Sequence, residues 1–232
     1  GLLMVRDDGS TDKTVEKILA FKDKRILLEK GENIGFGKSF LTLLNKAPKD
    51  AQMAMFSDQD DVWLDGKIQR AWDCLSKSQG QATLYCSRQL IVDEELKVLE
   101  SSEKMRHQPS FSNAIAENIV TGCTAAINNC AINLMMRPGV PENVRFHDWW
   151  LYLVISAHGV VIFDNKRLIL YRQHDCNYMG RGVGWVGRNL KKFQYLRKSN
   201  WTDALIGQIV DLKKYYWSSL PPQYGSMIDK YI

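Results

Sequence analysis

The run MAMFSDQDDVW at residues 53–63 limits what this chain can become more than any other stretch. Apolar residues pass without a break into three carboxylates, Asp58, Asp60 and Asp61. A buried parallel strand has this pattern where it delivers charge to the carboxyl edge of a sheet, the edge at which open α/β folds bind ligands. Asp58 and Asp60 are two residues apart. On an extended chain they point the same way and can share one hard divalent cation, whose other ligands are waters and substrate phosphates. A plain strand-ending turn would use the same acids, so the weight falls on what surrounds them.

The surroundings read as alternating strands and helices. Residues 2–5 and 25–29 are short strand candidates, and Val15, Ile18 and Leu19 share one face of the helix between them. A glycine-bearing loop over 31–37 leads into a helix over 38–46, and the acidic strand over 53–58 follows. Strand–helix–strand–helix–strand order implies right-handed crossovers and a mainly parallel sheet flanked by helices. Beyond Gly66, Ile68, Ala71, Trp72 and Leu75 have helical spacing. Strands are expected over 82–87, 89–93, 119–128, 160–163 and 168–172, with a polar loop over 94–109. Short helices are expected over 131–136 and from His147, the latter burying Trp150, Leu153, Val154 and Ala157. The reading is α/β, with one domain over 1–178 and a helical C-terminal extension over 179–232. The domain divides into two halves, about 1–65 and about 66–178.

Composition excludes several classes. The five cysteines are scattered, odd in number and lack a C-x-x-C pair. They suit reduced thiols in a cytosol better than zinc or disulfides. No apolar run approaches the roughly 20 residues that cross a bilayer, and no signal peptide is recognisable. A net charge of +5 suits an anionic ligand or an acidic membrane surface and is too small to argue for nucleic acid. Residues 180–201 interleave glycines and basic residues with Trp185, Phe193, Tyr195 and Trp201. That mixture fits either a membrane-surface helix or an extension whose aromatics pack back on the domain.

Acid- or histidine-bearing turns adjoin apolar elements at Asp7-Asp8, Asp58 to Asp61, His147-Asp148 and Gln173-His174, which suggests one cleft at one sheet edge. Here the chain resembles a known family. DDGSTDKT (7–14) resembles the opening signature of family 2 glycosyltransferases with the GT-A fold. SDQDDVW (57–63) resembles their Asp-x-Asp segment, and ENIGFGK (32–38) is similar to the loop between those motifs. TGCTAA (121–126), HDWW (147–150) and YRQH (171–174) resemble the rhamnosyltransferase-like branch that builds bacterial surface polysaccharides. The resemblance spans roughly residues 2–177. The opening strand and I-P-x-Y-N loop of that family have no counterpart before DDGS, so the chain is expected to begin inside its domain.

The resemblance implies an inverting transfer from a dTDP- or UDP-sugar, dTDP-rhamnose first, to a glycan or lipid-linked acceptor at the cytoplasmic membrane face. Mn²⁺ or Mg²⁺ would be held by Asp60 with Asp58, and His174 would be a further ligand or diphosphate contact. Asp148 would be the general base, Asp7 and Asp8 would meet base and ribose, and Lys38 would lie near the nucleotide. Two rivals remain. ENIGFGKS (32–39) is one residue from a P-loop, with Glu32 in place of its first glycine. A chain without the opening strand would alternatively bind nucleotide-sugar or glycan without turnover.

Overall fold

The computed structural model describes residues 1–78, 80–105, 107–173 and 201–230. The polypeptide opens with β1 (Leu3–Asp7), α1 (Thr14–Ala20), β2 (Ile26–Lys30) and α2 (Phe36–Asn45). β1 and β2 pair in parallel as a two-stranded sheet of their own. Then come β3 (Met53–Met55), β4 (Val62–Trp63), α3 (Lys67–Leu75), β5 (Thr83–Val92), β6 (Val98–Ser101) and α4 (Phe111–Ala114). After them follow β7 (Ala126–Asn128), α5 (Asn129–Met136), α6 (His147–His158) and β8 (Val160–Arg172). Past the undescribed stretch lie α7 (Trp201–Tyr216) and α8 (Pro222–Ile228).

The larger sheet corrects the expectation of a mainly parallel one. Its order is β3-β7-β5-β8-β4, with β6 on β5, and only β5 and β8 run parallel. β3–β7, β5–β7, β5–β6 and β4–β8 are antiparallel. The expectation came from extrapolating the first three strands, and β3 does not join the sheet of β1 and β2. Two pairs of expected strands are each a single strand. Polar breaks at Ser87-Arg88 and between Asp164 and Arg167 are register slips within β5 and β8, not strand ends, and bulges of this kind curl a sheet. The expected loop over 94–109 contains β6, which forms a hairpin with β5 and exposes Val98 and Leu99. An edge strand with no buried face leaves no apolar alternation to read. The strand expected over 119–128 is reduced to β7, preceded by a 3-10 turn at Gly122–Thr124.

The core gathers around α6. From Trp149 to Ile155 its side chains are all buried, so the helix is covered on every side, not on one face as its spacing suggests. Each fully buried Leu, Ile or Val there contributes roughly 1.5–3 kcal/mol of transfer free energy. Leu41 and Leu44 of α2 and Ile209, Leu212 and Tyr216 of α7 belong to the same core. Asp211 of α7 also accepts hydrogen bonds from the Asn143 backbone and side-chain N–H groups at 2.7 and 2.9 Å. α7 is therefore packed against the loop that leads into α6.

Candidate active site

Antiparallel pairing builds the site. Because β3 runs against β7, the carboxyl end of β3 faces the start of β7, and the Phe56 N–H donates to Ala125 O at 3.4 Å. Residues 58–61 therefore meet the turn at 122–124. The β4–β8 pair brings in the far end of β8, where the Arg172 N–H donates to Asp61 Oδ1 at 3.0 Å. The amino end of α6 supplies Asp148, whose Oδ2 accepts the Gly122 N–H at 3.1 Å.

β3 ends at Met55, so Asp58 and Asp60 lie beyond the strand, Asp60 in a bend. Among the described residues, the group whose donor atoms all lie within 4.8 Å of one another is Asp58, Asp61 and Cys123. Asp60, expected as the principal ligand, is outside that group but near enough to raise both Asp58 and Asp61. Burial pushes the Asp58 carboxyl up to about 7, and the like charges of Asp61, Asp60 and Asp148 add to the rise. Burial also raises Asp61, opposed by the Cys123 thiol and the Arg172 N–H. Asp61 Oδ2 is buried without a hydrogen bond. Two carboxylates, one with an orphaned oxygen, fit a hard divalent cation that leaves positions for water and phosphate oxygens. Cys123 is the soft member, and burial holds its thiol well above the ordinary range, so it remains protonated.

Asp148 lies in the first turn of α6. Burial pushes its carboxyl up to about 6, while the Trp149 N–H, the Asn118 side chain and the Gly122 N–H hold it down. Its Oδ1 accepts the Trp149 N–H at 2.7 Å. Gly122 is required for a steric reason: a β-carbon there would lie 2.6 Å from His147 Nε2. Only glycine lets the turn pass His147 and present its N–H to Asp148. His147 is 3% exposed, stacked 4.1 Å from the Phe40 ring and 5.3 Å from Phe56, and neither ring nitrogen is hydrogen-bonded. Burial pushes it down to about 3, so the ring is neutral.

The expected nucleotide residues lie on the β1 and α2 side. Asp7 is buried and its Oδ2 accepts the Gly9 and Ser10 N–H groups at 3.2 and 3.1 Å. Hydrogen bonding to Ser10 lowers its carboxyl, with burial opposing. Asp8 pairs with Arg6 and accepts the Ser39 hydroxyl at 2.5 Å. Lys38 is half-buried in the first turn of α2. The P-loop-like spacing has a packing explanation, because a β-carbon on Gly37 would strike the carbonyl of Arg145. The protein backbone ahead of α6 occupies the approach that a P-loop would reserve for phosphate. His174 lies outside the described residues, as do the basic–aromatic residues before Trp201.

The sequence names Asp61 among the acids but gives no ligand role to it, and it marks neither Cys123 nor Lys67. Asp61 was in view among the acids, and Cys123 lay within TGCTAA, but their meeting depends on β3 running against β7.

The family model described as glycosyl transferase family 2 matches residues 3–133. A dTDP-rhamnosyl transferase, RfbG of Shigella flexneri, is 27% identical over 198 residues, 80% of this chain and 67% of that protein. The UDP-Glc:alpha-D-GlcNAc-diphosphoundecaprenol beta-1,3-glucosyltransferase WfgD of Escherichia coli is 27% identical over 156 residues, 66% of this chain and 57% of that protein. The crystal structure of S. aureus TarS 1-349 superposes with a TM-score of 0.64 at 12% identity, covering 98% of this chain and 59% of that one. The last likeness is one of fold.

Proposed function

Because this chain belongs to glycosyltransferase family 2, whose model covers residues 3–133, we propose that it transfers a sugar from a nucleoside diphosphate to a hydroxyl acceptor by a single inverting displacement. The observation that carries the reading is electrostatic. Asp61 and Asp60, its neighbours in the chain, and Asp148, from the distant start of α6, all act on the carboxyl of Asp58. Carboxylates able to hold a cation thus lie within electrostatic reach of a separate carboxylate that could serve as base, which supports transfer of a sugar.

Asp58 and Asp61 would hold Mn²⁺ or Mg²⁺, with Asp60 beside them and His174 as a further ligand or diphosphate contact. A divalent cation supplies charge neutralisation on the departing diphosphate. Asp148 takes the proton of the acceptor hydroxyl, and a carboxyl near 6 is mostly ionised at neutral pH while still basic enough to accept it. Asp7, Asp8 and Lys38 line the nucleotide side. The donor is a dTDP- or UDP-sugar, with dTDP-rhamnose first, after the Shigella relative. The acceptor is a growing glycan or a lipid-linked one, the class named for the E. coli relative. No helix among the described residues is long and apolar enough to cross a membrane. Contact with the cytoplasmic membrane face would fall to the basic–aromatic residues before Trp201.

Calorimetric titration of UDP and dTDP into the folded protein, with and without Mn²⁺, tests the proposal. Binding that needs the cation is expected, and the tighter base narrows the donor. A folded protein that binds neither nucleotide overturns the reading.

A further inference from the structure

The ring of His147 stands where three parts of the site meet. It packs on Phe40 of α2 at 4.1 Å between ring centroids, and at 5.3 Å on Phe56, two residues before Asp58. It also meets the 3-10 turn at Gly122–Thr124. In that turn the Gly122 N–H donates to Asp148 Oδ2 at 3.1 Å, and Cys123 belongs to the donor group with Asp58 and Asp61. His147 is buried and neither ring nitrogen makes a hydrogen bond, although a buried polar group left unpaired costs about 1–3 kcal/mol. What the ring contributes is contact and shape.

The turn shows what that contact demands. A β-carbon on Gly122 would stand 2.6 Å from His147 Nε2 and 2.8 Å from its Cε1. The next atom it would meet, Asp148 Cβ at 3.8 Å, is at ordinary van der Waals distance. Gly122 is not one of the glycines with positive φ, so its backbone conformation alone would admit a side chain. The imidazole is what excludes one.

We infer that His147 is a positioning residue for the base: its ring is the stop against which the turn at Gly122–Thr124 rests, and that contact fixes where the Gly122 N–H meets Asp148. The inference rests on the reading that Asp148 is the base. The donor is a backbone N–H, so its aim depends on where the turn lies. A phenyl ring in this slot would avoid the unpaired nitrogens but reach further into the Gly122 backbone.

The test is a double-mutant cycle of Gly122→Ala with His147→Ala. Its readouts are turnover of dTDP-rhamnose or UDP-glucose onto a lipid-linked acceptor, whichever donor wild type uses, calorimetric binding of dTDP and UDP, and urea unfolding. Each single variant should lose about ten- to hundredfold in kcat, as misplacement near a reacting centre does, and bind nucleotide as wild type does. In the Gly122→Ala background, His147→Ala should raise kcat, because the space left by the ring accepts the new methyl group. The effect of His147→Ala thus reverses sign between the two backgrounds, and in unfolding the double variant should lose less stability than the two single losses added. His147→Phe overpacks the slot and should lower kcat in both backgrounds. Losses in kcat that multiply, a His147→Ala variant as fast as wild type, or nucleotide binding that falls as far as kcat would each overturn the inference. If His147→Ala does not fold, His147→Asn takes its place in the cycle. Failure of both to fold also overturns the inference, since the ring would then hold the core and not the turn. If wild type transfers no sugar, the proposed function fails first, and the unfolding cycle alone then decides whether the ring sets the turn.

Discussion

Replacing Asp58 by asparagine should stabilise the metal-free protein, and by more at pH 8 than at pH 5. In the folded chain the Asp58 carboxyl lies near 7 against an ordinary value of 3.8. A group raised in this way binds its proton more tightly folded than unfolded. Its ionisation therefore costs stability, beginning as pH rises above the unfolded value and complete once pH has passed the folded one. At about 1.36 kcal/mol per pKa unit, the gap corresponds to roughly 4 kcal/mol at pH 8 and between 1 and 2 kcal/mol at pH 5. Residual solvent screening at this half-buried site brings the expected gain to about 2–4 kcal/mol at pH 8 and about 1 kcal/mol at pH 5. Asparagine keeps the shape and removes the charge. For a chain of this size, the gain at pH 8 amounts to a rise in Tm of about 4–16 °C. The assay is thermal and urea unfolding in chelator at both pH values. Adding Mn²⁺ should stabilise wild type and leave the variant almost unmoved. A variant no more stable than wild type at pH 8, or one shifted equally at both pH values, would refute the argument that burial and like charge strain this carboxyl.

Three further outcomes are expected. Asp148→Asn should bind donor as wild type does and lose about 10²–10⁴-fold in transfer, while kcat/KM of the wild type should fall on the acid side with a midpoint near 6, as Asp148 takes up its proton. Steady-state rates across pH together with donor calorimetry check both. Asp61→Asn should abolish cation-dependent nucleotide binding, whereas Asp60→Asn should only weaken it, since Asp60 lies outside the donor group. Equal losses in the two variants would return Asp60 to the ligand set. Gly122→Ala forces a β-carbon to 2.6 Å from His147 Nε2 and disturbs the N–H that holds Asp148. It should cost about 1–3 kcal/mol of stability and lower transfer more than donor binding. Unfolding curves and kinetics in parallel would show whether the turn is that tight.

The sequence determined the local elements and the chemistry on offer. Apolar spacing marked the helices that begin near Gly66 and at His147. The acids closing the strand at residues 53–58 and the aspartate after His147 announced carboxylate chemistry before any contact was known. Those signals are legible because they repeat at helical or strand spacing, or sit beside a turn. What the sequence did not carry is which way each strand runs. The antiparallel β3–β7 pair, not the order of elements, put Cys123 against Asp58 and Asp61. Beyond the end of β3 at Met55, the donors within 4.8 Å of one another include Asp61 with Asp58 and not Asp60, a grouping that strand spacing alone does not specify. Lys67 looks in the sequence like an ordinary lysine near the start of a helix. Tertiary packing alone buried its ammonium over the Trp63 ring, because burial is a property of what surrounds a residue and not of its neighbours along the chain.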